Sequence, residues 1–207
     1  METLTVYIDY TCQYSYRAMH WLDRAREARP ELTVHWATFS LKEVNREEDE
    51  PSWVTADSPP SIGVFAQALA HAAREADFDR YHHTVFETMH GEHRKLGEEE
   101  LLAIAAEAGV DVGRFMAERG RWTAFVGAEH REAVARYGAY GTPTVILDGA
   151  AAYLRLHEEP PSPKDAIALV DSLAGLAGSP ADLVELFRPE GPKPTPVEIE
   201  LPQATAS

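Results

Sequence analysis

Within its first forty residues the chain changes hydrophobic period twice, and this restricts its fold more than any other feature. Leu4, Val6 and Ile8 alternate with Thr5, Tyr7 and Asp9, the period of a strand with one face in a core. From Ser15 to Arg29 the apolar residues Ala18, Met19, Leu22, Ala25 and Ala28 recur at three or four positions, with Arg17, Asp23, Arg24, Arg26 and Glu27 among them. Pro30 stops this helix. Leu32, Val34 and Trp36 then alternate with Thr33, His35 and Ala37, and a helical crossover of this length sets the second strand parallel to the first. The chain therefore opens on a β-α-β unit and belongs to the α/β class.

The charged, Pro-containing stretch from Lys42 to Pro60 reads as a long surface loop, with Glu47 to Glu50 solvated. From Ser61 to Tyr137 the pattern is helical almost throughout. Val64, Phe65, Ala68, Leu69, Ala72 and Ala76 suit a long helix. Glu98, Glu99 and Glu100 open another, where carboxylates favour the macrodipole, and Gly109 ends it. Asp111 caps a short helix through Met116 with Gly120 beyond its end, and Ala124 to Tyr137 supply the last helix. This insertion, residues 61–137, is short for an independent domain but suits a lid packed on a sheet.

After Gly138, Thr144-Val145-Ile146-Leu147 restore the strand pattern. Asp148-Gly149 predicts a two-residue hairpin turn in which both residues take positive φ, with Ala152 to Leu156 returning antiparallel. Ser162-Pro163-Lys164-Asp165 opens a helix through Leu173, and residues 180–188 suit one more short helix. Pro189 to Ser207 form a Pro-rich tail. Within it Val197, Ile199 and Leu201 alternate with Glu198 and Glu200, a pattern that docks extended against this protein or a partner subunit, as in a homodimer, or stays a plain tail.

The 207 residues suffice for one domain with an insertion, and 44% hydrophobic against 26% charged residues provide a core, which excludes wholesale disorder. Nineteen Lys and Arg against 34 Asp and Glu leave a net charge of -15, with no basic run, so neither nucleic acid nor an anionic membrane face is an expected partner. No apolar run approaches the ~20 residues of a membrane span. The start, METLTVYIDY, enters the strand pattern without the features of a secretory signal. A single cysteine, Cys12, excludes an internal disulfide and a multi-thiolate zinc site. Together these predict a cytoplasmic protein.

Two segments stand apart from the scaffold: Cys12-Gln13-Tyr14-Ser15 between the first strand and helix, and Gly141-Thr142-Pro143-Thr144 just before the third strand. At a helix N-terminus a cysteine meets free amide N–H groups and the positive end of the macrodipole, which favour thiolate over thiol. A small buried apolar cysteine is the other role such a residue takes. His71, His82, His83, His90 and His93 lack paired spacing on one helix face and have no Cys cluster beside them, so they are read as solvated histidines rather than a metal site. Trp36, Trp53 and Tyr14 are candidates for an apolar groove near the thiol, with core packing the competing role for Trp36.

The order strand, Cys motif, helix, strand, helical insertion, Gly-Thr-Pro-Thr, hairpin, helix resembles the DsbA-like branch of the thioredoxin superfamily. In that branch a helical domain interrupts a thioredoxin fold and a cis-proline loop lies beside the active cysteine. The resemblance spans residues 3–175 and rests on Tyr7-Ile8-Asp9-Tyr10-Thr11-Cys12, on Ala108-Gly109-Val110-Asp111 through Phe115, and above all on Gly138-Ala139-Tyr140-Gly141-Thr142-Pro143-Thr144-Val145. It implies a thioredoxin-like domain from residues 1–41 and 138–176 interrupted by an all-helical insertion. It further implies that Cys12 is the nucleophile, Pro143 the cis-proline, and Thr142 the residue whose backbone pairs with a bound thiol substrate, with Tyr14 beside them. Phe39-Ser40-Leu41-Lys42-Glu43-Val44-Asn45 is similar to the corresponding loop of cytosolic actinobacterial members, the FrnE-like or mycothiol-linked branch.

The departure is at Ser15, where dithiol members carry the resolving cysteine of Cys-x-x-Cys. Dithiol oxidation within one chain is therefore excluded, and monothiol exchange with a small thiol remains. Ser15, one turn on, either donates a hydrogen bond to the thiolate or is simply a helix N-terminal serine. The resemblance thus implies a thiol-disulfide oxidoreductase with glutathione or mycothiol as cosubstrate, no tightly bound cofactor, and a small-molecule or protein disulfide as substrate. Two other readings stay open. One is a thiol-cofactor enzyme like the 2-hydroxychromene-2-carboxylate isomerases and kappa-class glutathione transferases, which typically have Ser at the first motif position. The other is a thioredoxin-like binding module without chemistry.

Overall fold

The computed structural model describes residues 3–47, 52–53, 61–160 and 162–177. The expected helix at 180–188, the Pro-rich tail and most of the 42–60 loop lie outside the described residues.

Strand β1, Thr3–Ile8, runs into helix α1, Gln13–Ala28, and the chain returns as β2, Thr33–Thr38, parallel to β1 with Val6 opposite Trp36. After the helical insertion, β3, Thr144–Leu147, pairs antiparallel with β1, and β4, Ala150–Tyr153, closes the hairpin. The sheet order is β2-β1-β3-β4. Asp148 and Gly149 form the turn with φ of 49° and 84°, the doubly positive geometry that suits the twist of a two-residue hairpin. The return strand begins and ends earlier than the 152–156 expected from the pattern, because this short turn starts pairing at Ala150.

Alternation sorts the strand side chains between two cores. Leu4, Val6 and Ile8 join Met19, Leu22 and Ala25 of α1 in the larger core, which also receives Val170 of α8, Pro163–Ala177. Tyr7, Ala37 and Ile146 face the other way, into a smaller cluster with Phe39, Ala133 and Ala139. Trp21 fastens α1 to α8 by donating from Nε1 to the Ala166 carbonyl at 2.8 Å.

The chain leaves β2 through a single helical turn, α2, Leu41–Val44. This corrects the expected start of the loop: Ser40 caps the turn by accepting from Glu43 N. The insertion then contains α3, Ile62–Ala73; α4, Phe78–Phe86, which runs into a π-helical turn at Glu87–Gly91; α5, Glu98–Glu107; α6, Val112–Ala117; and α7, Arg119–Tyr137. Helix α3 is buried from Gly63 to Ala73, as an Ala-rich helix without a charged stripe must be. Gly120, expected beyond a helix end, lies inside α7. Trp122 and Val126, both buried, hold that first turn despite the ~1 kcal/mol cost of an internal glycine. Among the described residues no helix is long and apolar enough to cross a membrane.

At the free edge of β2 the backbone is met by side chains. Arg74 donates to the Trp36 carbonyl at 2.6 Å, and Glu129 of α7 accepts from Thr38 N and Thr38 Oγ1. A 3.0 Å ion pair joins Arg74 to Glu129, and His71 Nε2 lies 3.3 Å from the same carboxylate.

Candidate active site

The path from β1 to α1 is set by buried polar groups. Asp9, 2% exposed, accepts from Thr11 N at 2.9 Å, Thr11 Oγ1 at 2.7 Å and Leu41 N at 2.9 Å. Burial pushes its carboxyl above the ordinary range, and the hydrogen bonds from Leu41, Thr11 and Gln67 oppose that rise. Its carbonyl accepts from Cys12 N at 3.0 Å, closing the turn that delivers Cys12 to the helix. Gly63 of α3 makes room for this turn, since a Cβ there would stand 3.0 Å from Asp9 Oδ1 and Thr11 Cγ2. Tyr10 anchors the loop from below: fully buried, it shares a 3.0 Å hydrogen bond between its hydroxyl and His82 Nδ1 and packs against Phe86 at 4.7 Å.

Cys12 is the N-cap of α1, with extended backbone (φ -95°, ψ 116°), and its carbonyl accepts from Ser15 N and Tyr16 N. Its thiol reaches across 130 residues of sequence to donate to the Thr142 carbonyl at 3.4 Å. The Thr142–Pro143 peptide bond is cis. The loop is held on either side, by Thr144 Oγ1 donating to the Gly141 carbonyl at 2.8 Å and by Leu154 N donating to the Pro143 carbonyl at 3.1 Å. With Pro143 C=O taken and no proline N–H to offer, Thr142 supplies the backbone acceptor that faces the thiol.

Cys12, Thr142 and Pro143 are thus brought together. Ser15 turns inward: it is fully buried and its hydroxyl accepts from Asp9 N at 3.4 Å, while among the described residues no hydrogen bond joins it to Cys12 Sγ. Tyr14 points outward, its ring edge-on to His157 at 5.9 Å and within cation–π distance of Arg17 and Arg155. Trp36 packs tilted against His82 at 4.6 Å as a core residue, and Trp53 is buried in the same core. Cavities of about 130 Å³, beside Val110 and Trp122, and about 200 Å³, beside Tyr7 and Glu129, lie away from Cys12, which is itself half-buried.

The histidines are not the solvated set expected from the sequence. His82 is fully buried, its ring stacked on Phe78 at 5.0 Å, and burial holds it well below its ordinary range, so it is a neutral partner for Tyr10. His71 is 7% exposed, and His90 Nε2 donates to the Tyr10 carbonyl at 2.8 Å. His83 sits 2.7 Å from Asp23, whose hydrogen bond and charge raise it to about 9 against its partial burial. Among the described residues no group of three or more His, Cys, Asp or Glu is placed to hold a metal ion. Sequence reading missed Asp9 and Glu129 as organising groups. The signal for Asp9 was present as an Asp two residues before Thr11 at a strand end.

Comparison with known proteins agrees with this architecture. The chain is 28% identical to an uncharacterized protein of Mycobacterium tuberculosis over 209 residues, covering 97% of this chain and 86% of that protein. Its fold is similar to that of a probable DsbA oxidoreductase from Streptomyces coelicolor, with a TM-score of 0.64, 18% identity and coverage of 89% and 94% of the two chains. It is also similar to a 2-hydroxychromene-2-carboxylate isomerase, with a TM-score of 0.59, 18% identity and coverage of 88% and 100%. The DSBA-like thioredoxin domain matches residues 3–157, the stretch that holds β1, the Cys12 helix, the insertion and the Pro143 hairpin, and the chain belongs to that family.

Proposed function

We propose that the protein is a cytoplasmic thiol-disulfide oxidoreductase that works through one nucleophile, Cys12, with a low-molecular-weight thiol as partner. The reading is carried by the meeting of Cys12 Sγ, at the N-cap of α1, with the Thr142 carbonyl beside Pro143. Amide N–H groups in the first turn of a helix have no intrahelical acceptors and favour an anion at its N-terminus. A substrate chain laid against Thr142 is then presented to the sulfur.

The chemistry balances with thiols and disulfides alone. The Cys12 thiolate attacks one sulfur of a disulfide RSSR; the Cys12–SR bond forms, the S–S bond breaks, and RS⁻ leaves and takes up a proton. Cys12 is oxidised and one RS group is reduced. A small thiolate R′S⁻ then attacks the R sulfur, releasing the Cys12 thiolate and RSSR′. Because the sequence contains one cysteine, this resolving step falls to the small thiol, glutathione or mycothiol. Such a step needs a reducing pool, which the cytoplasm supplies.

The similarity to the isomerase fold favours a second reading, in which a small thiol binds at Thr142 as a cofactor and Cys12 forms no adduct. Intact-mass spectrometry after incubation with oxidised glutathione separates the two. The expected result is one adduct per chain, reversed by reductant and absent in Cys12→Ser. An inert Cys12 in the folded protein overturns the oxidoreductase reading.

A further inference from the structure

Beside the thiol the surface changes character. The Arg155 guanidinium lies 5.4 Å from the centre of the Tyr14 ring and 5.2 Å from that of Tyr153, and its Nε donates to the Tyr153 hydroxyl at 2.6 Å. Arg17 lies 5.8 Å from the Tyr14 ring and donates to the Leu156 carbonyl at 3.0 Å. Tyr153 also borders the loop of Pro143: a Cβ on Gly141 would stand 3.0 Å from its ring. Tyr140, 65% exposed, packs on Tyr153 at 4.8 Å.

The two arginines therefore span Tyr14, two residues from Cys12, and the rim of Thr142–Pro143. Among the described residues neither has a carboxylate partner, whereas Arg24, Arg74 and Arg114 are each ion-paired. The groups acting most on Arg155 are the hydroxyls of Tyr153, Tyr14 and Tyr140, not acids. Rings and a hydroxyl fix the guanidinium while leaving its outer N–H groups for a ligand, which suits the planar fork to a carboxylate. On a chain of net charge -15 these two arginines place positive charge at Tyr14, two residues from Cys12.

Building on Cys12 as the nucleophile, we infer that the Arg155–Arg17–tyrosine surface binds the carboxylate of the small disulfide that Cys12 attacks. It selects carboxylate-bearing thiols, glutathione among them, over uncharged ones. The carboxylate seats on Arg155 while the scissile sulfur meets Cys12; the bond changes are those of the exchange above, and no further reactant is needed.

The test measures the rate constant for thiolation of the full chain, by intact mass, with three probes: dithiodipropionate (anionic), bis(2-hydroxyethyl) disulfide (neutral) and cystamine (cationic). Each rate is divided by that of the same probe with free 2-mercaptoethanol, which removes intrinsic reactivity. The expected order is anionic, neutral, cationic. Arg155→Gln should lower the anionic-to-neutral ratio about threefold to tenfold, the range for one charge in direct contact with a carboxylate at a solvated surface. Arg155→Lys should retain most of it, and about 0.5 M salt should erase it. Cystamine reacting fastest, as the net charge dictates, or a ratio that Arg155→Gln leaves unmoved, overturns the inference with Cys12 still reactive. No adduct with any probe overturns the nucleophile reading and the inference with it.

Discussion

Replacing Glu129 by Gln tests whether the side chains at the β2 edge hold the fold together. Burial alone would raise the Glu129 carboxyl. Hydrogen bonding and charge from His71, with the charge of Arg74 and the Thr38 hydroxyl, outweigh it and hold the group at about 2, against an ordinary 4.5. By linkage that difference corresponds to about 3 kcal/mol at pH 7. The side chain is 18% exposed, so screening removes only part, and about 2–3 kcal/mol is expected. Because the fold favours the carboxylate, the contribution is complete above pH 4.5 and is lost as pH falls through about 2. About 1 kcal/mol of it should be gone by pH 3.5. Urea denaturation of both proteins, followed by fluorescence of the four tryptophans, measures the gap directly. The variant should be less stable by about 2–3 kcal/mol at pH 7, and the gap should narrow by about 1 kcal/mol at pH 3.5. A gap below about 0.5 kcal/mol at pH 7, or one that widens on acidification, refutes the reasoning.

Ser15→Cys places a second thiol one helical turn from Cys12, where a tethered attack outcompetes free thiols. The variant should cycle between dithiol and disulfide, read as loss of both titratable thiols after oxidant and as gain of insulin reduction; two persistent thiols would argue against it. Asp23 holds His83 protonated up to about 9, so by NMR its ring should titrate near that value, and near 6.5 in Asp23→Asn. The stabilisation from this pair is full below pH 6.5 and declines as pH rises through about 9; a wild-type midpoint near 6.5 would remove it.

The opening β-α-β unit was legible because each of its periods is uninterrupted. The Asp148-Gly149 turn was legible because its backbone chemistry is local, whereas the cis bond at Pro143 came only from the family resemblance, since X-Pro bonds are mostly trans. The burial of His82 was readable too, since Phe78, His82 and Phe86 recur at intervals of four on α4, and period outweighs polarity there. Ser40 and Glu43 likewise carried a capping signal for α2 that the surrounding charges obscured. What the sequence could not disclose was long-range. Glu129 finds Thr38 across 91 residues, and Arg155 reaches Tyr14 only after β4 has paired with β3. Ser15 shows the same limit: its spacing places it one turn from Cys12, and only the fold shows its buried hydroxyl accepting from Asp9 N.

The side chains that close the edge of β2 also impose an order on assembly. β1, α1 and β2 are contiguous and can pair as they form, but Glu129 is supplied by the last helix of the insertion. Until that helix docks, the Thr38 N–H and hydroxyl lack their acceptor and Arg74 at the Trp36 carbonyl lacks its ion-pair partner, and an unpaired strand edge is the feature through which unrelated chains join. Agents or variants that delay docking of α7 therefore lengthen the interval in which this protein is vulnerable to aggregation during synthesis and refolding, even where the finished molecule is unharmed.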